Sequence, residues 1–65
     1  MKHGEDWPEG AIIEMFDEQL RIIKNWGTQG EVEYLDGEFV SSSFYWEYQG
    51  VKATLISLPE PAKEL

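Results

Sequence analysis

The sequence predicts an α+β fold in the order αβββ: a single N-terminal helix packed on one face of a three-stranded antiparallel β-meander. Three observations predict it. Apolar residues between Ala11 and Trp26 recur at helical spacing. The run FVSSSFYWEY, residues 39–48, is rich in aromatic and β-branched types and contains neither Pro nor Gly. Turn signals flank that run, Asp36-Gly37 before it and Gln49-Gly50 after it.

Residues 1–5 are polar and read as a flexible tail. Asp6-Trp7-Pro8-Glu9 then has the form of a capping box, with an acceptor at the cap and a Glu three residues on. Pro8 is tolerated in a first helical turn because the N–H it lacks would have no internal partner. A helix is expected over about residues 8–26. At ~100° per residue, Ile12, Ile13, Phe16, Leu20 and Ile23 share one face. Glu14, Asp17, Glu18, Arg21, Lys24 and Asn25 fill the opposite arc, acids before bases as the helix dipole favours. Gly27 supplies a left-handed stop. Met15, Ile22 and Trp26 extend the apolar arc along one flank. That flank covers a sheet edge, or offers a contact to a second copy of the chain.

The first strand is expected over about 31–35, where Glu31-Val32-Glu33-Tyr34 alternates polar and apolar. Leu35-Asp36-Gly37 fits a three-residue hairpin loop closed by a left-handed glycine. Such a loop sets Tyr34 opposite Glu38 and Val32 opposite Val40, keeping the apolar residues on one side. A second strand over 38–48 and a third over 51–58 follow. A two-residue turn at Gln49-Gly50 pairs Tyr48 with Val51, Trp46 with Ala53 and Phe44 with Leu55 on the covered face. The other face then pairs Glu47 with Lys52, Tyr45 with Thr54 and Ser43 with Ile56. Pro59 and Pro61 end the sheet, and residues 59–65 read as a solvated tail.

One domain of 65 residues is near the lower limit for a chain that folds on a single core. Cysteine is absent, which excludes disulfides and Cys-based zinc sites. The single histidine, His3, is too few for a His-rich metal site or a triad. No apolar run is long enough to span a membrane, and no secretory leader is visible, so a cytoplasmic protein is expected. The net charge of −8 argues against direct contact with nucleic acid phosphates and against anionic membrane surfaces. It suits either solubility or attraction to a basic partner.

No motif carries catalysis. The acids occupy exposed positions with no apolar enclosure, Asp36-Gly37-Glu38 lacks the spacing of a calcium loop, and the serine run 41–43 has no His to activate it. An enzyme, a cofactor and a bound metal are therefore not expected. What one helix leaves bare is the far face of the sheet, where Glu31, Glu33, Asp36, Glu38 and Glu47 surround Phe39, Tyr45 and Ile56. Residues 27–50 hold five acids and no base. That combination supports a small acidic protein-binding protein, the acids attracting a basic partner and the apolar residues anchoring it. In size and charge alone the chain resembles the anti-restriction and anti-CRISPR inhibitors of phages and mobile elements. The resemblance implies occlusion of a basic, nucleic-acid-binding surface on a partner protein. The alternative is a homodimeric structural or regulatory module using the Met15–Ile22–Trp26 flank or the bare sheet face.

Overall fold

The segment expected to be helical is a β-hairpin. In the computed structural model, which describes residues 2–59, there is no helix among the described residues, and so none long and apolar enough to cross a membrane. Strands β1 (Ile12–Met15) and β2 (Glu18–Asn25) pair antiparallel from Ile12 opposite Arg21 to Met15 opposite Glu18. A two-residue turn, Phe16-Asp17, joins them with φ of +56° and +66°. Positive φ at both central residues matches the twist of the flanking strands. The hairpin turns Ala11, Ile13, Met15, Leu20 and Ile22 inward, a period of two.

This overturns both the α+β class and the helix at 8–26. The segment holds both periods. The helical stripe through Ile12, Ile13, Phe16, Leu20 and Ile23 would strand Met15 and Ile22 outside it, whereas the hairpin buries both. Two Ile-Ile steps add side chains that lose rotamer freedom in a helix and fit a pleated surface. The deciding factor is pairing: β1 bonds to β2 along one edge and to a later strand along the other, satisfying its backbone on both sides. The capping-box residues lie in turns, with Trp7 N–H donating to Gly4 O and Ala11 N–H to Pro8 O. Gly27 does have positive φ, but it turns β2 into the next strand.

The remaining strands are β3 (Gln29–Tyr34), β4 (Phe39–Tyr45), β5 (Glu47–Tyr48), β6 (Val51–Lys52) and β7 (Thr54–Ser57). Five form one antiparallel sheet in the order β4-β3-β2-β1-β7, and β5 pairs with β6. Chain continuity joins the two sheets. β4 runs into β5 through Trp46, β6 runs into β7 through Ala53, and Ala53 N–H donates to Trp46 O at 2.8 Å. The short hairpin thus links the two outer strands of the large sheet, which curls around one core.

The first predicted loop is present. Gly37 has φ of +99°, its N–H donates to Tyr34 O, and Tyr34 N–H donates to Glu38 O at 2.7 Å. Bulges then shift the register, so that Val32 lies opposite Ser41 and not Val40. Such bulges bend a strand and increase its twist, which here wraps β4 around the core. At the second hairpin the Gln49-Gly50 turn and the pairs Tyr48–Val51 and Glu47–Lys52 match expectation. Beyond Trp46 and Ala53 the expected pairs Phe44–Leu55, Tyr45–Thr54 and Ser43–Ile56 do not form. β4 stays with β3 and β7 turns to β1, a partner that exists only because residues 12–15 are a strand.

The core consists of Ala11, Ile13, Met15, Leu20, Ile22, Val32, Trp46 and Ala53. Tyr34, Val40, Phe44 and Leu55 pack against it, as their strand parity predicts. Tyr48 and Val51, placed on the covered face from sequence, are exposed, because their hairpin lies beyond the buried Trp46 and Ala53, outside the core. Trp46 is fully buried between two backbone approaches. A Cβ on Gly30 would meet the Lys24 carbonyl oxygen and lie 2.7 Å from Trp46 Cζ2. A Cβ on Gly4 would lie 2.8 Å from Trp46 Cβ. Only glycine fits at either place.

Residues 2–10, read from sequence as a flexible tail to residue 5 followed by a helix start, form an arm docked on the sheet. Asn25 holds it: Nδ2 donates to Trp7 O at 2.7 Å and to Gly4 O at 3.0 Å. Its Oδ1 accepts from Gly27 N–H at 2.8 Å and from Trp46 Nε1–H at 3.2 Å. Both donors and both lone pairs of the amide are therefore used. The rings of His3, Trp7, Trp46 and Phe44 follow one another at centroid spacings of 5.1, 6.0 and 6.0 Å. The predicted solvated tail lies, apart from Pro59, outside the described residues.

Candidate functional site

Successive antiparallel strands reverse direction, so the β1–β2 turn and the β3–β4 loop emerge at the same end of the sheet. That end is the strongest candidate. The turn presents Phe16, Asp17 and Glu18, and the loop presents Leu35, Asp36, Glu38 and Phe39. Phe16, Leu35 and Phe39 are 59%, 40% and 56% exposed. Three bare apolar side chains among four acids make a mixed patch that a packed interior does not require.

Hydrogen bonds tie the two connections together. Tyr34 O–H donates to Glu18 Oε1 at 3.4 Å. Arg21 donates from Nη1 to Glu33 Oε2 at 2.6 Å and from Nη2 to Leu35 O at 3.1 Å. Asp36 Oδ1 accepts from Glu38 N–H, which shapes the loop from within. The Tyr34 phenol registers the clustering of charge. Its pKa is raised above the usual 10.0, first by the Glu18 carboxylate, then by partial desolvation and the Glu18 hydrogen bond, then by Glu38 and Asp36. Among the described residues no cation lies within salt-bridge distance of Asp17, Glu18, Asp36 or Glu38.

Phe16 is the unusual member. Turns with two positive-φ residues favour Asn-Gly, and a bulky side chain there is strained. Burial does not compensate for that strain, because the ring faces water. Strained, exposed positions of this kind cluster at functional sites.

The eight residues expected to form one binding face are dispersed. Asp36, Glu38 and Phe39 lie at the tip. Glu33 is engaged by Arg21, and Glu31 lies opposite Lys24 in the β2–β3 ladder, so the expected acidic row is flanked by bases on the next strand. Tyr45 and Glu47 belong to the far end. Ile56 is exposed on β7, at the other limit of the strand order. The flank offered for dimerisation does not exist as a surface: Met15 and Ile22 are core residues and only Trp26 is exposed. The sequence reading missed Phe16, Asp17, Glu18 and Leu35. The Ile-Ile steps on either side of Phe16-Asp17 were the available sign of a hairpin centred there.

At the far end, beside the β2–β3 turn, an open depression of about 520 Å³ is lined by Lys2, His3, Thr28, Tyr45, Glu47 and Lys52. Among the described residues no group of three or more His, Asp or Glu is placed to hold a metal ion. No protein-family model, curated protein or solved structure matches the chain.

Proposed function

We propose that the protein is a small acidic protein-binding module whose tip docks on a basic surface of a partner protein. The observation that carries this reading is the joining of Phe16, Leu35 and Phe39 with Asp17, Glu18, Asp36 and Glu38 at one end of the sheet. Acids at the rim accelerate encounter with a basic partner, and apolar residues that become desolvated supply most of the affinity. A surface that binds nucleic acid is rich in Lys and Arg, so occlusion of such a surface fits both the tip and the net charge of −8. Cytoplasmic action belongs to the same proposal and rests on the cysteine-free composition.

The test is affinity capture from native cell extract at low and high salt, using wild type, an E18K/D36K variant and an E9K variant that reverses an exposed charge on the arm. The expected result is a partner captured by wild type and E9K, lost with E18K/D36K, and captured less well at high salt. Capture that survives reversal at the tip would remove the tip from the interaction.

A further inference from the structure

The far-end depression brings together two of the few bases on this acidic chain. Lys2 and Lys52 are two of only five Lys and Arg residues in the chain, yet both line this one concavity, together with His3. Among the described residues neither lysine lies within salt-bridge distance of a carboxylate. Lys52 pairs across the ladder with Glu47, but the two side chains form no salt bridge.

The depression is organised in advance. Lys2 N–H donates to Glu5 Oε1 at 2.8 Å, and Glu5 N–H to Lys2 O at 3.2 Å, fixing the backbone that carries the first lysine. His3 Nε2 lies 2.7 Å from Ala53 O, a carbonyl that can only accept, so Nε2 carries the proton and Nδ1 is left uncommitted. Thr28 adds a hydroxyl from the β2–β3 turn. Tyr45, 47% exposed and tilted against Tyr48, adds an aromatic side chain to the lining. A volume of about 520 Å³ is within the range of small-ligand sites.

We infer that this depression binds a small phosphate monoester carrying a flat ring, of the mononucleotide class. The two ammonium groups and the Thr28 hydroxyl take the phosphate, and the ring lies against Tyr45. Glu47 lines the same depression across the ladder from Lys52 and opposes a phosphate placed next to it, but the two ammonium groups outweigh a single carboxylate there. Lys and Thr donors and an aromatic side chain lining one concavity supply partners for both halves of such a molecule. The site is remote from the acidic tip and does not depend on the proposed docking there.

Amide and side-chain NMR titration at constant ionic strength tests it, with adenosine monophosphate, inorganic phosphate and adenosine as separate probes and the K2Q, K52Q and Y45L variants. K24Q serves as the control outside the depression. The expected result is saturable shifts at Lys2, His3, Thr28, Tyr45 and Lys52, tightest for the monophosphate. Each depression lysine removed should weaken binding roughly tenfold, the loss of one charge-assisted hydrogen bond, while K24Q binds as wild type. Y45L should reduce affinity for the monophosphate and leave that for inorganic phosphate unchanged. The inference is overturned if no probe gives saturable shifts there, if K2Q and K52Q bind as wild type with dispersed spectra, or if inorganic phosphate binds as tightly as the monophosphate.

Discussion

Where the N-terminal arm docks, all four hydrogen-bonding positions of Asn25 are used, and Trp46 is enclosed by Gly4 and Gly30. At the tip, Phe16 stands exposed on a backbone that L-residues rarely adopt, among acids with no counter-charge within salt-bridge distance in the described residues. The first arrangement is what stability alone would favour. The second spends stability on a displayed aromatic ring and concentrated charge, and so separates the part of the molecule that holds the fold from the part proposed to meet a partner.

Breaking the docked end should have the largest effects. Trp46→Ala empties the centre of the core and should cost about 3–5 kcal/mol, comparable to the whole stability of a small domain. Urea or thermal unfolding would show a largely unfolded chain. Gly30→Ala should cost about 1–3 kcal/mol or more, since the added methyl meets backbone as well as the indole. Asn25→Asp keeps the Oδ1 bonds to Gly27 and Trp46 but removes the donors to Gly4 O and Trp7 O. It should cost about 1–3 kcal/mol and release the arm, seen as rapid amide exchange at residues 4–7 while β1–β4 stay protected.

Substitution at the tip should act in the opposite direction. Replacing Phe16-Asp17 by Asn-Gly relieves both positive-φ residues and should stabilise the fold by about 1 kcal/mol while weakening partner binding. A variant that is more stable and binds equally well would show that the aromatic ring has no role at the tip. Arg21→Gln removes a half-exposed ion pair and a bond to the loop carbonyl, for a loss of roughly 1 kcal/mol or less in unfolding experiments.

The smallest effect is the titration of Tyr34. Its folded-state pKa is raised above the unfolded value near 10, so its contribution to stability is complete below pH 10 and is lost as pH rises through the folded value. Alkaline titration of the tyrosines followed by ultraviolet absorbance or NMR should find Tyr34 above the ordinary value. Glu18→Gln should lower it more than Asp36→Asn does, because Glu18 is the largest cause.

Turn chemistry was the most legible part of the sequence. Asp36-Gly37 and Gln49-Gly50 both lie in the expected loops, and strand parity correctly sent Val32, Trp46 and Ala53 inward and Phe39, Tyr45 and Ile56 outward. Residues 11–26 failed because their apolar spacing satisfies two periods, and because Phe16-Asp17 carries no glycine or asparagine to announce a turn. The candidate site inherited that error. With a helix in place of β1 and β2, Asp17 and Glu18 sat on a solvated arc far from Asp36 and Glu38, and the bases of β2 were not seen to flank Glu31 and Glu33.

By itself the sequence determined the acidity, the absence of cysteine chemistry, the two glycine-containing hairpin loops and the facing of residues 39–46, since each depends on local composition or on spacing within a few residues. Tertiary structure decided whether residues 12–25 became helix or hairpin, because that choice turns on a partner strand more than thirty residues away whose backbone groups must themselves be bonded. The tertiary arrangement likewise brings Phe16 and Leu35 to one end of the sheet and Lys2 and Lys52 to one depression, placements that no local pattern encodes.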